Sequence, residues 1–252
     1  MTATVTRERI REVNNEDARF IWRSLYKLGG IAALLAIVVA LTDIALTFLP
    51  AGAEQPGTMT AVDWFHLFQN HWFFGLRNLG LLPNILTLLL MIPLFLSLYL
   101  VHQQENQPYA ALALILAVVG TAIYLANNAA FPMWALSTKY ALASDDTQRS
   151  LLAAAGEAML ARGEDFTPGA FIGFALTETA TIVMSVVMLH GKVFSRVAAC
   201  AGLLGGILLT LFTIWATFIP YGFASSMVLA MIGGLCSIVW YILTAHKLFQ
   251  LS

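Results

Sequence analysis

"GAFIGFALTETATIVMSVVML", residues 169–189, decides the class of this protein. It is 21 residues long and carries one acidic side chain, Glu178, and no basic one. An α-helix needs about 20 mainly apolar residues to cross the hydrocarbon core of a bilayer. The stretch therefore reads as a membrane-spanning helix. Its glutamate then demands a reason, because an ionised carboxylate in hydrocarbon is expensive and marks an interior or functional position.

Five other stretches have the same character: 28–49, 81–101, 109–134, 197–219 and 223–245. Of the 252 residues, 59% are hydrophobic and 11% charged, and the mean hydropathy is +0.78. A soluble domain carries about 25% charged residues, so composition agrees with the spans. The expected fold is all-α: a polytopic bundle of six transmembrane helices. Residues 1–27 form a basic leader helix, and residues 28–252 form one membrane domain. Asn127, Asn128 and Pro132 predict a bend near the end of the third span. "LPAGAEQ", residues 49–55, resembles a signal-peptide cleavage site. The apolar run before it exceeds the 7–15 residues of a secretory signal, so it is read as a retained span.

Lys and Arg placement orients the bundle. Arg7, Arg9, Arg11, Arg19, Arg23 and Lys27 precede the first span, Lys192 and Arg196 join the fourth to the fifth, and Lys247 lies in the tail. These nine fall on one side, while Arg77, Lys139, Arg149 and Arg162 fall on the other. Both termini are thus expected on the cytoplasmic side, in the cytoplasmic (inner) membrane of a bacterium. Basic and acidic residues nearly cancel, at 13 and 14, which gives no case for nucleic acid. Membrane lipids and a membrane-protein partner are the expected associates. Cys200 and Cys236 lack metal or redox spacing and read as buried thiols.

Between the spans, Asn15 followed by Glu16 and Asp17 resembles a helix start. The outer segment "MTAVDWFHLFQNHWFFGLRN", residues 59–78, repeats Trp64, Phe68 and Trp72 at i, i+4 and i+8. It reads as an amphipathic aromatic helix at the membrane interface, or as a mobile lid over the outer mouth. His66 and His71 are about 140° apart on such a helix and do not share a face. "SDDTQRSLLAAAGEAMLARGEDFTPG", residues 144–169, reads as a surface helix capped by Asp145 or Asp146 and stopped by Gly163. Pro168 then opens the fourth span.

The polar residues inside the spans fall in one layer. At about 1.5 Å per residue, Glu178 lies roughly 13–14 Å from the outer end of its span, Asp43 roughly 9 Å and Asn127 and Asn128 roughly 10 Å. Glu178, Thr181 and Ser185 stand at i, i+3 and i+7 and share a helix face. Asp43, Asn127, Asn128, Glu178, Thr181 and Ser185 are accordingly the candidate ligand or proton site. The competing reading is that the layer joins helices by hydrogen bonds. Gly169/Gly173, Gly202/Gly206 and Ser226/Ala230/Gly234 supply small faces for close helix approach within the chain.

No GxSxG, HExxH or phosphate-binding loop occurs. No catalytic residue, metal site or cofactor is assigned. "LLAAAGEAMLARGEDFTPGAFIGFALTETATIVMSVVMLHGKVFSRVAACAGLLGGIL", residues 151–208, and the closing "IVWYILTAHKLFQL" resemble a family of six-helix bacterial integral membrane proteins known only as a domain of unknown function. The similarity covers about residues 70–250 and implies the six-span fold without a chemistry. The function expected is therefore that of an accessory subunit or a binder of lipid or a small apolar ligand. The alternatives are a small proton-coupled transporter using Glu178 and Asp43, and, behind it, a lipid-modifying enzyme.

Overall fold

The structure is a computed structural model that describes residues 2–49, 57 and 59–252, with side chains described from residue 22 onward. Most of the cleavage-like stretch, residues 50–55, lies outside the described residues.

Helix α1 (Thr2–Thr47) runs unbroken from the basic leader into the first apolar stretch. Asn15 therefore lies within a helix and does not start one. Helix α2 (Ala61–Asn78) begins with a capping box. Thr60 accepts from the Asp63 backbone N–H (3.3 Å), and Asp63 accepts from the Thr60 N–H (2.9 Å), satisfying two orphan donors at once. Gly80 (φ +92°) turns the chain into a π-helical turn, Leu81–Leu86, which continues as α3 (Thr87–His102). Helix α4 (Gln107–Asn127) starts at a proline and stops at Asn128, and α5 (Ala130–Ala141) follows at once. The bend expected near Asn127 and Asn128 is thus a full break. The Asn128 side chain sustains it by accepting the Ala130 N–H at 2.9 Å.

Asp145 caps α6 (Asp146–Gly163) through the Gln148 N–H at 2.7 Å. Pro168 opens α7 (Pro168–His190), as proline does at a first helical position. Helices α8 (Arg196–Phe218) and α9 (Gly222–Leu251) complete the chain. The described residues include six helices long and apolar enough to cross a membrane. Among the described residues there is no strand.

The six long helices close a ring. Helix α1 packs between α3 and α9, α3 packs on α4, α4 on α7, α7 on α8, and α8 on α9. Glycine permits the closest of these contacts. A Cβ at Gly173 on α7 would stand 2.7 Å from Tyr124 Cβ on α4, so the two backbones touch. The outward faces of α1, α8 and α9 are apolar and exposed, including Val38, Leu41, Leu211, Val228, Met231 and Leu235. In lipid that surface needs no partner. Cys200 is also exposed, on α8, and not the buried thiol expected.

Helices α2, α5 and α6 pack on one another at one end of the ring, here called the capped end. The aromatic segment does not present one continuous face. His71 has non-helical torsions (φ −145°, ψ 65°) that break the register between Phe68 and Trp72. Trp64 and Phe68 are buried, whereas Trp72 is exposed and stacks on Trp134 with ring centroids 5.9 Å apart. Ser137 on α5 donates to the Phe65 carbonyl (2.9 Å) and ties α2 down.

Candidate functional site

Two polar regions stand out, one at the capped end of the ring and one inside it. The first sews the capped end together. Its centre is Asp165, in the turn between α6 and α7, where the chain reverses through Phe166 at φ 61°. A bulky residue at positive φ is held there by its surroundings, and Phe166 is held by rings. Its centroid is 5.7 Å from Phe174, 5.0 Å from Phe212 and 5.4 Å from Phe223. Asp165 is buried and doubly bonded: the Tyr124 hydroxyl donates to Oδ1 (2.6 Å) and the Asn84 amide to Oδ2 (2.7 Å). Asn128 donates to Tyr124 Oη (3.0 Å) and to the Leu79 carbonyl (2.9 Å). Beside it, Glu164 accepts from the Gly57 N–H (3.0 Å), and Glu157 accepts from the Ala61 N–H (2.7 Å).

Asn127 belongs to the same seam. Its amide donates to the Gly169 carbonyl (3.1 Å), and its oxygen accepts from Arg162 Nε (3.2 Å). Asp43 is paired: Arg77 Nε reaches its Oδ1 at 2.6 Å, and Arg77 also donates to the Asp43 carbonyl (2.8 Å) and to the Thr47 hydroxyl. The guanidinium is 7% exposed and the carboxylate 19%, so each neutralises a charge that the bundle end would otherwise hold alone.

The second region is a cavity of about 190 Å³, partly open and enclosed by the π-helical turn with α3, and by α7, α8 and α9. Glu178 stands in its wall. Thr213 on α8 donates to Glu178 Oε1 at 2.6 Å, whereas Oε2 is buried and has no hydrogen-bond partner. Thr210 on α8, which also lies close to the carboxylate, donates to the Gly206 carbonyl at 2.8 Å. Around the carboxylate the cavity is chiefly aromatic, with Phe166, Phe174 and Phe212 toward the capped end and Trp240 and Tyr241 on α9. The lining contains no Lys, Arg or His, and none of it comes from α2.

The six residues singled out by sequence therefore divide. Glu178 and Thr181 line the cavity. Ser185, two turns from Glu178 and fully buried, packs against Gly202 beside Trp240. Asp43, Asn127 and Asn128 do not line the cavity and are engaged at the capped end. Asn84 links the regions, since it lines the cavity and bonds Asp165. Asp165 and Tyr124 are the residues sequence reasoning missed. The available signal was the pair Glu164–Asp165, two residues short of the proline that opens a span. Among the described residues no group of three or more His, Cys, Asp or Glu is placed to hold a metal ion.

One carboxylate with an unsatisfied oxygen, inside an aromatic wall, can accept a hydrogen bond or a positive charge. It lacks a second carboxylate for acid–base work, because Asp43 is held elsewhere by Arg77. The family model described as "Domain of unknown function (DUF4386)" matches residues 73–243. The cavity lining runs from Pro83 to Tyr241 and falls wholly within that match. No curated protein and no solved structure matches the chain.

Proposed function

This chain belongs to the DUF4386 family of domains of unknown function, and on that footing we propose that it is a multi-pass membrane protein that binds a small, largely apolar molecule in the cavity around Glu178. The observation that carries the proposal is Glu178 Oε2, which is buried without a hydrogen-bond partner on a residue that lines the cavity. Buried polar atoms are normally satisfied, and an unsatisfied one in a native site calls for an explanation. A bound molecule with a donor group at one end supplies that explanation. The volume is appropriate: an apolar cavity of about 150 Å³ holds benzene, and this one is about 190 Å³.

Within this reading Glu178 and Thr181 belong to the ligand site. Asp43, Asn127 and Asn128 hold the capped end in shape, and Ser185 packs the floor. The excess of basic residues at the end opposite the cap supports the reading that both termini are cytoplasmic and the cap lies outside a bacterial inner membrane.

Native mass spectrometry of the protein, extracted gently from its own membrane, tests the reading. A bound small molecule that is lost in Glu178→Ala is the expected result. Added mass from another protein, with no small ligand, would make the chain an accessory subunit instead. A bare monomer would turn attention to proton-coupled flux in liposomes, with Glu178 as the only carboxylate left to carry it in the cavity.

A further inference from the structure

If the cavity binds a ligand, as proposed above, the chemistry of its wall fixes the ligand's charge. The protons of the lining groups point away from the cavity interior. Thr177 and Thr181 donate to the Gly173 and Thr177 carbonyls of their own helix, each at 3.1 Å. Ser237 does the same to Gly233 (3.0 Å), and Thr87 donates to Leu82 (3.3 Å). Thr213 gives its proton to Glu178, and Asn84 turns its amide nitrogen to Asp165. A hydroxyl whose proton is engaged offers only lone pairs. The wall is thus dominated by acceptors, with Glu178 Oε2 unpartnered among them. The exceptions are the Trp240 indole N–H, which is buried without a partner, and the Tyr241 hydroxyl.

The aromatic rings point the same way. Phe166, Phe174, Phe212, Trp240 and Tyr241 line the space around Glu178, and the faces of such rings attract cations. The lining supplies no cation of its own. Nor does it offer the donor array that an anion or a sugar would need.

We propose that the occupant is an organic ammonium ion: a small amine with an apolar body, its N–H directed at Glu178 Oε2 and its body among the rings. Each charge then serves as the other's counter-ion in a site removed from water.

The test compares two molecules of matched shape, 2-phenylethylammonium and propylbenzene, by calorimetric titration of the full-length protein in nanodiscs at pH 7, with empty nanodiscs subtracted. The cation binds at least about tenfold more tightly than the hydrocarbon, and the isosteric variant Glu178→Gln erases that difference. Equal or tighter binding of propylbenzene overturns the charge assignment and leaves the apolar-binder reading standing. Failure of both molecules to bind overturns the two together. A preference for the cation that persists in Glu178→Gln also overturns the assignment, since the carboxylate would not be its source. The wild-type comparison is decisive without any variant having to fold.

Discussion

Gly202 stands where α8 crosses Ser185 of α7 and Trp240 of α9. A Cβ at this position would press on the Ser185 hydroxyl and lie 2.5 Å from Trp240 Cδ1. Both neighbours are fully buried and have no room to move aside. Gly202→Ala is therefore expected to overpack the floor of the cavity and to lower stability by about 1–3 kcal/mol. Thermal unfolding in detergent checks it, and an unchanged midpoint would show that the floor is looser than these contacts imply. Glu178 behaves differently. Glutamine has the same shape, and its amide oxygen can still accept from Thr213, so Glu178→Gln should fold and keep its stability within about 1 kcal/mol. A variant that fails to assemble would mean that the carboxylate holds the helices together and is not reserved for a ligand.

Elements meet here through polar side chains as much as through apolar ones. The Asp43–Arg77 pair joins α1 to the end of α2. Arg77→Ala leaves Asp43 with an uncompensated charge in a part-buried site, and we expect a loss of about 3 kcal/mol. Asp43→Asn keeps an oxygen for Nε but leaves the more buried Arg77 charge uncompensated, so it should cost about as much. A cycle over the two single variants and the double variant measures the coupling, and a coupling near zero would reduce the pair to a surface contact.

The same element scale explains what the sequence could and could not reveal. The long helices were legible because a window of about 20 apolar residues is a local property. The break after α4 was legible because Asn127, Asn128 and Pro132 are local too. The aromatic helix was misjudged at His71, where a backbone kink separates Trp72 from the face of Trp64 and Phe68. Glu178 and Thr181 could be grouped because they share one helix face. Asp165 could not be, because its partners Tyr124 and Asn84 lie 41 and 81 positions away. Only knowledge of which helices adjoin brings them together.

At the scale of the whole molecule the open question is which way the bundle faces. The ring places the cap of α2, α5 and α6 at one end, and the α3–α4 turn, the α7–α8 turn and the end of α9 at the other. Four of the 13 basic residues lie at the capped end and nine at the opposite one, an imbalance from which the positive-inside rule predicts that the basic end is cytoplasmic. Two exposed positions report the outcome: Ser144, between α5 and α6, and Gln104, between α3 and α4. Each is replaced by cysteine in a background lacking Cys200 and Cys236, because Cys200 is itself exposed. A membrane-impermeant maleimide applied to intact cells should label Ser144→Cys. It should reach Gln104→Cys only after the membrane is opened. The reverse pattern would place the cap in the cytoplasm.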